Sequence, residues 1–335
     1  MTIYDIAKEA GVSAATVSRV INNRPGIKQS TREEVYKILE KYSFSVSATA
    51  RGLVRQSSMM IGLLISDIRN LHYTEGAYII EREMLKDGYC SLIMNTGVRP
   101  SDMAGAIRTI SERRVDGAVL IGSAFGNDEV RRAIETYMKD IPFVMENGRM
   151  ELDNVVEILA DDKMGSFKAA RHLSAEKRRR LCFINSNDTP SNRLKIEGFL
   201  EATGGEGIVI DSVPDSYDGG YDATKMALKD YPDIDGLIYA VDILALGGVR
   251  AIRDIGLSTP GDISVFGFDN SPYAYISNPR LSSIDSRLNE LSITSAKALK
   301  RLIRKEKVEK SILFPPDLVL RETTLSAFAS EPDSP

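Results

Sequence analysis

The residues whose types and spacing could do chemistry lie near the N-terminus, and they suit contact with DNA. Residues 13–19 read SAATVSR, a run in which small, polar and basic side chains share one face of a short helix. Such side chains can approach base edges in the major groove. The residues that we expect to govern sequence choice are Ala14, Ala15, Thr16 and Arg19.

A second group of polar side chains is expected to hold this face on the phosphate backbone. Phosphate contacts fix the position of a protein on the duplex but carry no sequence information. The residues that we assign to this role are Tyr4, Ser13, Ser18 and Asn22.

The sequence contains no recognisable catalytic motif. His72 and His172 are the only two histidines, and no GxSxG, HExxH, Cys-x-x-Cys or phosphate-loop pattern occurs. Cys90 and Cys182 both lie in apolar, strand-like runs, so we expect two buried thiols rather than a disulfide or a metal site. We therefore expect no enzymatic activity, no metal and no cofactor.

Three short helices are predicted to position the DNA-reading residues. A capping box over residues 2–5 opens the first helix, and Gly11 supplies the left-handed turn that follows it. Ser13 is the expected N-cap of the second helix. Ser30 and Glu33 form a second capping-box pattern, which predicts a third helix. This outline is also found in all-helical proteins that do not bind DNA.

The distribution of charge favours a DNA-binding head on an acidic body. The chain has a formal net charge of −4, but its first 58 residues hold nine Lys or Arg against five Asp or Glu. The head therefore carries +4 and the remainder −8. This arrangement suits phosphate contacts at one end of the molecule and argues against an enzyme that binds nucleic acid over its whole surface.

Bulk composition fits a globular protein of the cytoplasm. The 335 residues are 43% hydrophobic, as in a protein with a small reader and one large core. No apolar run is long enough to cross a membrane, and the sequence shows no signal-peptide pattern. We expect a cytoplasmic location and no membrane partner.

From Met59 onward, apolar strands alternate with helix-length segments. A first set reads MMIGLLIS, CSLIMNT, GAVLIGS and PFVMEN, and a second set reads EILAD, LCFINS, GIVIDSV, GLIYAV and SVFGF. Continuous apolar strands between helices predict parallel, doubly wound α/β sheets, and two sets predict two lobes. Such sheets bind ligands beyond the carboxyl ends of their strands.

The run AGVSAATVSRVIN, residues 10–22, resembles the opening of the lactose-repressor (LacI/GalR) family. The resemblance implies a small all-α helix-turn-helix head and a two-lobed α/β body of the periplasmic-binding-protein-like type (type I). It implies a head over 1–44, a hinge over 45–58 and a body over 59–330. The expected N-lobe covers 59–161 and 288–317, the C-lobe 162–287 and 318–330, and the chain is expected to cross between lobes near 161–162, 287–288 and 317–319.

The segment between head and body has the composition of a plain flexible linker. In the resembled family this stretch forms a hinge helix on operator DNA, and a leucine enters the minor groove. The ARGL pattern here places that leucine at Leu53. An apolar wedge of this kind kinks the duplex. Val46 and Ser47 stand where most members have a Pro-Asn pair, which makes the stability of a hinge helix here an open question.

The resemblance implies an effector cleft with Asp242 and Arg193 as principal contacts. Asp242 aligns with the aspartate of the family's NDxxAxG motif, although Val241 replaces the usual asparagine. Its alternative role is that of an ordinary helix cap. Arg193 precedes Gly198 with the spacing of sugar-responsive members, and its alternative is a solvated arginine at a helix start. An aspartate and an arginine together suit a neutral polyol.

Further cleft residues are expected at the ends of other strands. His72 and Tyr73 occupy the loop that follows the first strand, where a lone histidine is otherwise structural. The complete set of these further candidates is Asp67, His72, Tyr73, Phe125, Asn127, Glu146 and Tyr217, the last with a register uncertain by two residues.

These expectations describe a transcriptional repressor whose operator affinity is set by a small-molecule effector, a sugar or sugar derivative. One head reads only a few base pairs, so we expect a homodimer on a pseudo-palindromic operator. The polar ending SAFASEPDSP argues against a leucine-heptad tetramer. Two alternatives remain: control by a phosphorylated sugar-uptake carrier protein, and a transporter-type sugar-binding protein.

Overall fold

The computed structural model describes residues 2–21, 24–42 and 57–325, which fall into two compact units that divide between Ser58 and Met59. Asn22, Leu53 and most of the expected hinge lie outside the described residues, as does the chain end from residue 326. The two units are described separately.

The first unit is a bundle of three helices: α1 (Ile3–Glu9), α2 (Ala14–Ile21) and α3 (Gln29–Lys41). The predicted capping box is confirmed, since Thr2 N donates to Asp5 Oδ2 at 2.7 Å and Asp5 N donates to Thr2 Oγ1 at 3.4 Å. Gly11 has φ +63°, the left-handed turn expected of it. The core of the bundle contains Ile6, Val17, Val20, Val35 and Ile38, all buried.

The predicted start of α3 is wrong by two residues. The helix begins at Gln29 with Lys28 as its N-cap, and no side chain caps it. Ser30 and Glu33 therefore lie inside the helix, where Gln29 Nε2 donates to Glu33 Oε1 at 3.0 Å. This bond between residues four apart places the glutamate on the helix surface instead of at its cap.

The second unit contains two six-stranded sheets flanked by helices, which confirms the predicted doubly wound architecture. The first sheet has the order β11-β5-β4-β3-β1-β2 and is parallel throughout. The second has the order β12-β10-β9-β8-β6-β7 and is parallel except where β12 pairs with β10. The elements of the second unit, in chain order, are β1 (Met60–Ile65), α4 (Leu71–Leu85), β2 (Cys90–Asn95), α5 (Pro100–Glu112), β3 (Gly117–Ile121), α6 (Asp128–Tyr137), β4 (Phe143–Glu146), β5 (Val155–Ala160), α7 (Asp162–Ala175), β6 (Leu181–Ile184), α8 (Pro190–Ala202), β7 (Ile208–Ile210), α9 (Tyr217–Asp230), β8 (Gly236–Tyr239), α10 (Asp242–Asp254), β9 (Ser264–Phe268), α11 (Pro272–Ile276), β10 (Ser282–Asp285), α12 (Leu288–Ile303), β11 (Ser311–Phe314) and β12 (Asp317–Val319).

The chain passes between the two sheets three times, after β5, after β10 and after β11. The segment EILAD was expected in the second set of strands, but it forms β5, which pairs with β4 and β11 of the first sheet. The third passage precedes residue 317, earlier than expected, because residues 317–319 already pair with β10 in the second sheet.

Cys90 and Cys182 lie in different environments, although the sequence predicted that both are buried. Cys182 is fully buried in β6, as expected, and burial raises the pKa of its thiol to about 12. Cys90 is exposed, because it begins β2 at the edge of the first sheet, where one side of the strand has no neighbour. The expectation of two buried thiols is therefore wrong at Cys90.

Among the helices that the described residues form, none is long and apolar enough for a membrane crossing.

Helix α8 packs against α7 so closely that only glycine fits at their crossing. A Cβ atom on Gly198 would lie 1.9 Å from the carbonyl oxygen of Lys163. Gly105 is a contrast, since it lies in α5 with open space around the position of a Cβ atom.

We predict that Gly198→Ala lowers the free energy of unfolding by about 1–3 kcal/mol, because the backbones of α7 and α8 must separate. The control Gly105→Ala should raise it by roughly 0.5–1 kcal/mol, since alanine loses less entropy in a helix. Urea unfolding followed by circular dichroism measures both changes. Equal stability of the two variants would contradict the close crossing.

Candidate functional sites: the head surface and the cleft

Helix α2 separates its side chains into two faces, as the sequence predicts. Val17 and Val20 are buried, whereas Ala15 and Arg19 are exposed. Thr16 N donates to Ser13 Oγ at 3.1 Å, the N-cap bond expected of Ser13. The other head residues expected to contact DNA are half-buried or exposed: Tyr4, Ser13, Ala14, Thr16 and Ser18.

A cleft of about 920 Å³ lies between the two lobes of the second unit, and a smaller cavity of about 60 Å³ continues inward from it. Its walls come from the loops after the carboxyl ends of strands in both sheets, the position predicted for a ligand site. Amide and hydroxyl side chains dominate the inner wall: Asn70, Ser123, Asn147, Ser186, Asn187, Thr189, Ser191, Asn192 and Ser286.

Lys195 is a buried cation in the wall of this cavity. Its Nζ donates to the carbonyl oxygen of Ala240 at 2.9 Å and lies 3.8 Å from the centre of the Phe268 ring. Asp162 is also buried, and its Oδ2 accepts from Ser191 Oγ at 2.5 Å and from Asn147 Nδ2 at 3.3 Å. Burial raises the pKa of Asp162, and the charge of Lys195 opposes that rise.

Asp269 introduces negative charge on the opposite wall. The residue has φ +95°, a strained backbone conformation for any residue with a side chain, and its carboxylate oxygen lies 3.6 Å from His72 Nδ1. Burial raises the pKa of Asp242 to about 7, and the negative charge of Asp269 is the second largest cause of that rise. It likewise adds to the raised pKa of Asp215, for which loss of hydration in the cleft is the largest cause.

Asp242 lies beside the wider cleft, but its carboxylate is engaged by the protein. Both oxygens accept hydrogen bonds, from Ser271 N and Ser271 Oγ at 2.7 Å and from Ser283 Oγ at 2.6 Å. The residue is buried at the start of α10, with Val241 as the N-cap. Asp242 thus borders the cleft as expected, and in this structure its carboxylate braces the loops after β9 and β10.

Arg193 lies at the mouth of the cleft, where it pairs with an acidic neighbour. Its Nε and one terminal nitrogen donate to the two carboxylate oxygens of Asp188 at 2.6 and 2.7 Å, and both side chains are largely exposed. The Arg193 nitrogens that were expected to donate to an effector thus donate to Asp188 in this structure. Asp67 is paired in the same way at the rim, where its Oδ2 accepts from Arg69 at 2.7 Å.

Phe125, Glu146 and Tyr217 differ in where they lie relative to the cleft. Phe125 is fully buried in the core of the first lobe and is unavailable to a ligand. Glu146 borders the inner cavity, but its carboxyl group accepts from Ser292 Oγ at 3.0 Å and Ser295 Oγ at 2.6 Å, and burial raises its pKa. Tyr217 opens α9 outside the cleft lining, and Asp215, two residues earlier, takes the place expected for it.

The remaining expected residues do border the cleft. His72 and Tyr73 line both the cleft and the inner cavity, and desolvation raises the pKa of Tyr73 to about 12. Asn127 lies at the rim, where it caps α6 by accepting from Glu129 N at 3.1 Å and Val130 N at 3.0 Å. Its amide oxygen therefore serves the helix.

Sequence reasoning missed Lys195, although a signal for it was present. Ser191 and Lys195 are four residues apart, and Asn192 lies between them, so all three share one side of α8. That side also carries Gly198 and Phe199, which are buried against the lobe. The helix face that contains Lys195, and not the one that contains Arg193, was therefore the inward one.

We predict that Lys195→Met lowers the free energy of unfolding by about 1–3 kcal/mol, because it removes the hydrogen bond to the carbonyl oxygen of Ala240, the contact with the Phe268 ring and the charge that opposes the burial of Asp162. The double variant with Asp162→Asn should be less destabilised than the sum of the two single variants, since the uncompensated charge is gone. Urea unfolding of all four proteins measures this coupling. Strict additivity would show that the two side chains do not interact.

Comparison with known proteins agrees with the fold and with the head surface. Residues 2–47 match the family model described as bacterial regulatory proteins, lacI family, and residues 170–324 match the periplasmic binding protein-like domain. The HTH-type transcriptional regulator DegA of Bacillus subtilis is 30% identical over 332 residues, which cover 96% of this chain and 98% of that protein.

Two solved structures extend the comparison. A lac repressor dimer bound to operator and the anti-inducer ONPF has a TM-score of 0.87 and 25% identity, over 97% of this chain and 99% of that one. A LacI family transcriptional regulator from Enterococcus faecium with bound ribose has a TM-score of 0.71 and 26% identity, over 79% of this chain and 98% of that one. The chain therefore belongs to the lacI family of bacterial regulatory proteins, and it is a DNA-binding transcriptional regulator and not an enzyme.

Proposed function

We propose that this regulator is a cytoplasmic, homodimeric repressor whose affinity for a pseudo-palindromic operator is controlled by a sugar or sugar derivative in the cleft. The observation that carries the proposal is the cleft itself, with amide and hydroxyl groups at the carboxyl ends of strands from both lobes. Hydroxyl-rich ligands are selected by such groups, because a wrong hydroxyl pattern leaves buried polar atoms unpaired.

The dimensions and walls of the cleft suit a small carbohydrate. Its volume of about 920 Å³ falls within the range of small-molecule sites. The ring of Tyr73 forms part of the wall, and aromatic rings pack against the apolar faces of sugars. The ribose in the Enterococcus faecium relative supports the same ligand class. Control by a protein partner is not favoured, since solved relatives hold sugars, ribose in one and D-xylulofuranose in another.

Contacts between the lobes offer a route from the cleft to the rest of the protein. Ser191 N in the second lobe donates to Ser123 Oγ in the first at 3.1 Å, and His72 approaches Asp269 across the same gap. A ligand between these walls would change the closure of the lobes. A coupling free energy of about 1–3 kcal/mol would alter operator affinity by roughly 5–150-fold.

At the DNA, the exposed face of α2 would enter the major groove. Ala14, Ala15, Thr16 and Arg19 would read bases, and the head's phosphate contacts would fix its position. Leu53, which lies outside the described residues, would wedge into the minor groove at the centre of the operator.

Dimerisation would cover the free edge of the first sheet. Among the described strands, β2 has a neighbour on one side only, and Ile93 within it exposes 45% of its surface. Exposed apolar strand edges invite pairing. A second copy is the proposed occupant, through this edge and α5, in agreement with the dimeric lac repressor that the chain resembles.

The test begins with binding sites selected from random duplexes by the full chain. We predict two-fold symmetric sites, and fluorescence anisotropy with labelled DNA should show weaker binding when a pool of common sugars is added. The label belongs on the DNA, because the chain contains no tryptophan. Operator binding that no sugar changes would contradict the sugar effector but not the DNA reader.

Variants of two exposed cations provide the control for base reading. Arg19→Ala should weaken binding to the selected site by about tenfold, the value of a base contact. Lys37→Ala removes the same charge from the surface of α3 and should change affinity by no more than about threefold, since it removes at most a screened phosphate contact. Equal losses would show that α2 does not read bases.

A further inference from the structure

The cleft carries negative charge that its own cations do not neutralise. Asp215 and Asp269 line both the cleft and the inner cavity. Among the described residues no hydrogen bond or ion pair engages the carboxylate of Asp215. The basic group that approaches Asp269 is His72, whose Nδ1 lies 3.6 Å away and makes no hydrogen bond. Two like charges at one cavity destabilise each other unless an opposite charge is placed between them.

The cations around the cleft are committed to other partners. Arg69 pairs with Asp67, and Arg193 pairs with Asp188. The third, Lys195, donates to a backbone carbonyl and contacts the Phe268 ring. The charge of Lys195 is offset by the buried Asp162. An anionic ligand would therefore meet the carboxylates of Asp215 and Asp269, while the charge of Lys195, the lysine of the inner lining, already acts on Asp162 and Asp215.

A buried hydroxyl group at the same cavity also lacks a partner. Ser286 lines the inner cavity, exposes only 2% of its surface, and its Oγ makes no hydrogen bond within the described part of the chain. Burying a polar atom without a partner is costly, so this hydroxyl group points to a ligand that supplies a hydrogen bond.

We propose that the effector carries a protonated amine, which binds between Asp215 and Asp269, while its hydroxyl groups meet the amide and hydroxyl side chains of the inner wall. The ligand class is thus an amino sugar or amino polyol. This inference rests on the proposed function, since it specifies the ligand of the same cleft. It excludes phosphorylated and acidic sugars, because the available charges of the cleft are negative.

The test compares matched sugars that differ only at one nitrogen. Glucosamine, galactosamine and mannosamine are titrated into the full chain by calorimetry, beside glucose, galactose and mannose and beside the N-acetyl derivatives, whose nitrogen carries no charge. At least one amine should bind about tenfold or more tightly than both its neutral counterparts, the value of a hydrogen bond to a charged group. In Asp215→Asn that ratio should fall to about one.

Asp218→Asn is the matched control, because Asp218 lies in the exposed first turn of α9, outside the cleft lining. It should retain the preference for the amine. If a neutral sugar binds as tightly as the matching amino sugar, the proposed amine is wrong, but control by a sugar still stands. Binding by none of these compounds would overturn the amine proposal, and operator binding insensitive to the wider sugar pool would overturn sugar control as well. An amine preference unchanged in Asp215→Asn would place the nitrogen elsewhere and also overturn the proposal.

Discussion

The meeting of two parallel sheets at one cleft is the constraint on which the rest of the second unit depends. Because the chain passes between the sheets three times, loops from both lobes reach the same space at the carboxyl ends of their strands. Polar groups that are far apart in sequence, such as His72 and Asp269, thereby come within a few ångströms. A ligand in this space would contact both lobes at once, and it would favour closure if it binds the closed arrangement more tightly.

The carboxylates around the cleft differ in their partners: some brace its walls and others remain available. Asp242 is held by Ser271 and Ser283, and Asp162 lies opposite the charge of Lys195. Because Asp242 accepts hydrogen bonds at both oxygens, it fixes the loops that hold those serines in place. Asp215 has no hydrogen-bond partner among the described residues, and Asp269 faces only His72, so these are the two carboxylates proposed to receive a cation.

The sequence was a good guide wherever a local pattern determines structure. The capping box over residues 2–5, the left-handed Gly11 and the buried pair Val17 and Val20 follow from spacing alone, and so do the apolar strands. The start of α3 was missed because a bond between Gln29 and Glu33 competes with the cap. Strands β10, β11 and β12 were not predicted, since they are short and only partly apolar.

The cleft was harder to predict, because the direction of a side chain depends on tertiary packing. Arg193 and Lys195 are two residues apart on α8, yet one pairs with Asp188 in solvent and the other is buried. Which face of α8 turns inward is fixed by the contact of Gly198 with α7, not by the charge of either residue. Asp242 and Glu146 were correctly placed near the cleft, but neighbouring serines engage their carboxyl groups.

The central claim is that the cleft and the DNA-reading head are thermodynamically coupled, and the most direct measurement is reciprocal. The affinity of the full chain for its selected operator is measured with and without the sugar found to bind, and the affinity for that sugar is measured with and without saturating operator. Both measurements should give the same fold-change, roughly 5–150-fold, because linkage is symmetric. A sugar affinity that operator DNA leaves unchanged would show that the cleft and the head are not coupled.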